Sequence, residues 1–134
     1  MEKLENCICL DSDILIDLLR NKKETLEWLK ENENKFIFAT TIINVFELYA
    51  GAYNSENQEK RIKAVKKLIE KLKILNINLR IVEEAGKHYA KLKKEGQIID
   101  NRDLFIGVIA LTENIPLKTN NKSHFSRIDG LLIK

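Results

Sequence analysis

Carboxylates stand beside apolar runs at three widely separated places in this chain. Asp11 and Asp13 end the run Cys7-Ile8-Cys9-Leu10, Glu47 lies inside Thr41-Ile42-Ile43-Asn44-Val45-Phe46-Glu47-Leu48-Tyr49, and Asp103 opens Asp103-Leu104-Phe105-Ile106-Gly107-Val108-Ile109-Ala110-Leu111. An ionised carboxylate near a core is costly unless it is paired or bound to a metal. If the fold brings these groups together, the simplest compensation is a divalent cation held by oxygen ligands.

Each residue also has a plainer reading. Asp11, Ser12 and Asp13 precede a helix, and a cap explains one of them. The expected cap is Ser12 or Asp13, which leaves Asp11 for a metal. Glu47 either serves the site or faces water from its helix. Asp100, Asn101 and Asp103 all suit the start of a helix, where carboxylates match the dipole, but capping accounts for only one of the three. Thr119, Asn120 and Asn121 form either a plain turn or a second source of oxygen ligands. His124 beside Phe125 reads as a packing residue. Trp28 and the aromatics near residue 46 read as core.

Positioning such groups requires strands that end where helices begin. Residues 7–10 read as a strand buried on both faces, followed by helices over 13–20 and 23–33. A strand over 35–39 leads to Thr40 or Thr41 as the cap of a helix reaching about Tyr53. Ile62, Val65, Leu68, Ile69 and Leu72 recur at helical spacing and predict an amphipathic helix over 58–73. A short strand over 74–79, a helix over 82–94 closed by Gly96, and an apolar helix over 101–113 follow. Strands over 116–119 and 131–133 complete the pattern. Strands alternating with helices argue for a parallel sheet covered on both faces, with ligands beyond the carboxyl ends of the strands.

Composition is consistent with this. The chain of 134 residues, 44% hydrophobic and 32% charged, is the size of a single folded domain, taken as residues 1–134. Its net charge of +3 permits a polyanionic partner without requiring one. The only cysteines, Cys7 and Cys9, share a strand face and read as buried thiols rather than a disulfide. No apolar run is long enough to span a bilayer, and no signal-like start is seen, so a cytoplasmic protein is expected. The 58–73 helix sets Lys60, Arg61, Lys63, Lys66, Lys67, Lys71 and Lys73 against Glu59 and Glu70. That face is either solvated or a nucleic-acid contact.

In order, the segments are Leu10-Asp11-Ser12-Asp13, Asn44-Val45-Phe46-Glu47-Leu48 with Gly51, Gly96-Gln97-Ile98-Ile99 leading to Asp103-Leu104-Phe105-Ile106, and Thr119-Asn120-Asn121 with His124-Phe125 and Gly130-Leu131. Over nearly its whole length the chain resembles a PIN domain, specifically a VapC-type toxin of a toxin–antitoxin pair. The resemblance implies a three-layer α/β/α sandwich with a parallel central sheet and divalent-metal-dependent cleavage of RNA. It implies Asp11, Glu47 and Asp103 as the acidic, metal-binding site, with Asn121 as the fourth position and Thr119 as the hydroxyl residue before it. Asp13 stands where Asn is frequent, and Gly107 where Ala is frequent. Mg²⁺ or Mn²⁺, an RNA substrate, a VapB-like antitoxin and a homodimer are implied as cofactor and partners. Two other classes compete. Asp11-Ser12-Asp13 also resembles the start of haloacid-dehalogenase-type phosphatases, with Asp11 as nucleophile and Asp13 as acid/base, although Leu15 departs from that pattern. A non-catalytic module binding RNA or protein through the 58–73 helix is the other.

Overall fold

The computed structural model describes residues 6–134. Four parallel strands form one sheet: β1 (Cys7–Leu10), β2 (Ile37–Thr41), β3 (Lys73–Leu75) and β4 (Leu117–Lys118), in the order β3-β2-β1-β4. Around them lie α1 (Ser12–Leu19), α2 (Lys23–Asn32), α3 (Ile42–Tyr53), α4 (Gln58–Ile69), α5 (Leu79–Lys94), α6 (Asn101–Thr112) and α7 (Lys122–Phe125). The architecture is the expected three-layer α/β/α sandwich.

The alternation of side chains along β1 divides the core in two. Cys7 and Cys9 join a cluster with Ile81, Ala85 and Leu92 of α5 and Leu104, Ile106, Val108 and Ile109 of α6. Ile8 and Leu10 face the other way, onto Leu15 of α1, Leu48 of α3 and Val65 of α4. Because β1 is central and buried on both faces, it is apolar throughout and ends abruptly at Asp11. Cys9 pairs with Leu117 and Leu10 with Lys118, so the chain leaves β1 and β4 side by side, at Asp11 and Thr119.

Several boundaries differ from expectation for local reasons. The second strand starts at Ile37 rather than Lys35, because the N–H groups of Lys35 and Phe36 turn back to the Asn32 carbonyl. Thr40 is strand, its hydroxyl donating to the Leu10 carbonyl at 2.7 Å, and Thr41 is the cap of α3. The helix starting at residue 58 stops at Ile69, where two turns release Lys73 into β3. Asn78 caps α5 from Leu79, three residues earlier than expected, by accepting from Ile81 N. Gly96, at φ 68, closes α5 as anticipated. The strand expected over 131–133 contributes a single bridge, Ile133 to Leu117. The short helix α7 was not anticipated.

Candidate active site

Asp11 is the hub. It is only 7% exposed, and both carboxylate oxygens are used. Oδ1 accepts from Ser12 N at 2.8 Å and from Asn44 Nδ2 at 3.1 Å; Oδ2 accepts from Thr119 Oγ1 at 2.7 Å. Asp11 itself is the N-cap of α1, in place of Ser12 or Asp13. Capping and site roles, read as competitors in the sequence, fall on one residue, since the end of a buried parallel strand is also where the next helix begins.

Glu47 connects to this hub through side chains. Ser12 Oγ donates to Glu47 Oε1 at 2.8 Å, and Asn44 Nδ2 donates to Ser12 Oγ at 2.9 Å. Asn44 is wholly buried and is fixed by a capping box with Thr41: Thr41 Oγ1 donates to Asn44 Oδ1 at 2.7 Å. One helical turn later, at i+3, Glu47 lies on the same face and is half-buried rather than turned to water. From the sequence, Ser12 reads only as a helix cap and Asn44 only as part of a family segment, and neither is assigned to the site. The signal for Asn44 was present: a Thr-x-x-Asn box followed three residues on by Glu.

Asp103 sits in the first turn of α6, whose cap is Asp100, accepting from Arg102 N at 2.8 Å. Its nearest partner is His124, with Nδ1 3.6 Å from Asp103 Oδ2. The same Nδ1 lies 2.9 Å from Asn121 Nδ2. His124 is therefore no packing residue: its ring is exposed beside the acids, and the neighbouring Phe125 is buried instead. The four residues of α7 turn one side chain inward and the other toward the site. Thr119 Oγ1 also accepts from Asn121 N at 3.0 Å, and Asp13 Oδ2 accepts from Asn120 N at 2.9 Å, so Asp13 secures the loop carrying Thr119 and Asn121. Arg102, another residue overlooked in the sequence, reaches across with Nη1 3.9 Å from Glu47 Oε2.

Asp11, Glu47, Asp103, Thr119 and Asn121 thus gather at the carboxyl ends of β1 and β4, Asp103 coupling to Asp11 and Glu47 through charge. The expected aromatic core is partly corrected. Trp28 is half-buried against Phe38 with the Lys118 ammonium over its ring, but Phe46 is 59% exposed. Asn44 and Glu47, three residues apart, share the face of α3 turned to the site, and Phe46 lies off that face and points to solvent.

The electrostatics express crowding. Burial pushes the Asp11 carboxyl above the ordinary carboxylate range; hydrogen bonds from Thr119, Ser12 and Asn44 oppose this, and the Asp103 charge adds to it. Burial also raises Glu47, against the Ser12 hydrogen bond and with the Asp11 charge. Asp103 is raised by burial and by the Asp100 charge, and His124 works against both. The Cys9 thiol beneath is held un-ionised by burial and by the Asp11 charge. Three desolvated carboxyls, with the Asp103 charge raising both Asp11 and Glu47 and the Asp11 charge raising Glu47, are a donor set a hard divalent cation would relieve. Among the described residues no three His, Cys, Asp or Glu side chains converge closely enough to enclose an ion by themselves.

Comparison with known proteins agrees with this geometry. Residues 8–131 match the PIN domain family, and the chain belongs to it. Ribonuclease VapC1 of Methanocaldococcus jannaschii is 37% identical over 134 residues, covering 100% of this chain and 90% of the relative. The structure of VapBC-1 from nontypeable Haemophilus influenzae superposes with a TM-score of 0.85 at 32% identity, over 96% of each chain. VapBC2 from Rickettsia felis, solved bound to a DNA fragment from its promoter, gives a TM-score of 0.89 at 25% identity, over 96% of this chain and 97% of that one.

Proposed function

We infer that the protein is a divalent-metal-dependent endoribonuclease of the VapC type, the toxin of a toxin–antitoxin pair. The observation that carries this reading is the convergence of Asp11, Glu47 and Asp103, from three distant segments, at the strand ends of a PIN-domain sheet. Asp11 and Asp103 would hold Mg²⁺ or Mn²⁺, with Glu47 binding directly or orienting a coordinated water. When bound, such an ion lowers the pKa of its water and neutralises charge developing on the phosphate. The protein supplies the rest. Thr119, Ser12 and Asn44 fix the Asp11 carboxylate in one orientation, and Ser12 sets the rotamer of Glu47. Asn121 presents its amide between His124 and the Thr119 turn, where it can hold the phosphate or the water network.

Asp13 does not suit a haloacid-dehalogenase acid/base role. Its Oδ1 accepts from Ile14 N at 2.7 Å and its Oδ2 from Asn120 N, so both oxygens face the backbone.

Replacing Asp11 or Asp103 by Asn is expected to abolish RNA cleavage by protein freed of contaminating nuclease, and chelation should abolish it in the wild type. Wild-type rates from either variant would sink the assignment. The partner would be a VapB-like antitoxin, docked in a groove of about 460 Å³ bordered by Ile16, Leu19, Leu48 and Val65, with Arg20, Lys60 and Arg61 at its edge and Glu47 at one end. A basic side chain of the antitoxin placed there would meet the carboxylates. The chain is also read as a homodimer, in keeping with the exposure of Phe46, Leu79 and Leu132 at 59%, 88% and 63%. Sedimentation equilibrium at tens of micromolar should give twice the monomer mass, and a monomer would contradict this.

A further inference from the structure

We propose that Arg102 is a substrate-binding residue whose guanidinium leaves Glu47 to clamp an RNA backbone phosphate neighbouring the scissile one. The proposal rests on the ribonuclease reading above.

The side chain is held at its base and loose at its tip. Asp100 Oδ1, already capping α6 through Arg102 N at 2.8 Å, lies 3.3 Å from Arg102 Nε. Beyond that tether Nη1 stands 3.9 Å from Glu47 Oε2, an ion pair too long for a hydrogen bond. The Arg102 side chain is 57% exposed, so its outer N–H groups face solvent at the rim of the site. Among the described residues it is the only lysine or arginine within 4.0 Å of Asp11, Glu47 or Asp103.

A polyanion approaching three carboxylates is repelled, and a cation bound between them answers only for the phosphate it touches. The flanking phosphates need charge from the protein. A guanidinium presents a planar fork that matches phosphate oxygens in pairs, and exchanging a long, screened contact with Glu47 for a bidentate one with phosphate favours the bound state. Tethering through Nε leaves the terminal amino groups to make that contact.

The test uses the full-length protein and a single-stranded oligoribonucleotide that the wild type cleaves. Arg102→Gln should raise KM about tenfold with little change in kcat, and should lower the dependence of log(kcat/KM) on log salt by about 0.7, the loss of one phosphate contact on a single strand. Arg102→Lys should keep the salt slope while recovering only part of KM. The Mn²⁺-induced rise in melting temperature should be at least as large in Arg102→Gln as in the wild type, since the variant removes a cation that competes for Glu47. An unchanged KM and salt slope would overturn the proposal, as would a fall in kcat alone or loss of the Mn²⁺ response, since either would mean that Arg102 acts through Glu47 or Asp103. A wild type that cleaves no RNA would instead overturn the ribonuclease reading beneath it.

Discussion

Asp103 differs from Asp11 in how its charge is compensated. Asp11 receives three hydrogen bonds from fixed donors, whereas Asp103 has an imidazole at 3.6 Å and the charge of Arg102. Removing its charge should therefore relieve repulsion at small structural cost. Burial raises Asp11, Glu47 and Asp103, so ionising them costs more in the folded chain than in the unfolded one. The contribution of these three groups to metal-free stability is then greatest with them protonated. It is lost as pH rises from the unfolded carboxylate value near 4 through the raised folded values, and stays lost above them. In chelator at pH 7, Asp103→Asn is expected to melt above the wild type, with the difference closing toward pH 4. Mn²⁺ at about 100 times its dissociation constant should add about 2.7 kcal/mol to the wild type, a rise of roughly 10 °C, and far less to the variant. Equal Mn²⁺ shifts in the two proteins would show that Asp103 is not a ligand.

At the scale of elements, α6 must bring Asp103 to the strand ends while packing closely against the C-terminal segment. Gly107 permits this. A Cβ there would lie inside van der Waals contact of Ile128 Cδ1 and 3.4 Å from both Leu131 Cδ2 and Phe125 Cδ1. Related proteins were expected to carry Ala at this position, and Ala would gain about 1 kcal/mol of helix propensity. Overpacking a site this full costs about 1–3 kcal/mol, because Ile128 and Phe125 are themselves buried. Gly107→Ala should thus destabilise by about 1 kcal/mol in urea unfolding. Ile128→Val, which removes the obstructing methyl, should cost about 1 kcal/mol alone and less than that in the Gly107→Ala background. Additive losses would mean that the helix shifts rather than the side chain.

Across the whole molecule, the proposed catalytic acids and the groove proposed for the antitoxin meet at Glu47, which belongs to the Asp11 network and also lines the groove between α1, α3 and α4. One bound partner could then block both. Gly51 lines the same groove, and a Cβ built on it meets nothing within 4 Å. Gly51→Leu should fold normally, still arrest growth when expressed, and resist rescue by the co-expressed antitoxin. Full rescue would place the partner elsewhere. No helix among the described residues is long and apolar enough to cross a membrane.

Local order was legible in the chain because local forces set it. The apolar run Cys7–Leu10 had to be a strand buried on both faces, Thr40 or Thr41 had to cap what followed, and the spacing of Ile62, Val65 and Ile69 had to form a helix with one buried face. Asp11, Glu47 and Asp103 stood out because charge beside apolar sequence needs compensation, and Asn121 and Thr119 entered by resemblance. From the sequence, Asn44 and Arg102 carry no site role, Ser12 reads as a cap and His124 as a packing residue. Each owes its place to a contact across at least 21 residues: Ser12 and Asn44 with one another, Arg102 with Glu47, and His124 with Asp103. Strand ends also moved where turn hydrogen bonds outbid residue propensity, as at Asn32. The sequence by itself determined which segments are strand and helix and which charges need an explanation, since periodicity and burial cost are properties of neighbours along the chain. Only the tertiary structure decided that β1 and β4 pair, and so which polar side chains share the carboxyl end of the sheet, because strand order is fixed by packing among segments far apart in sequence.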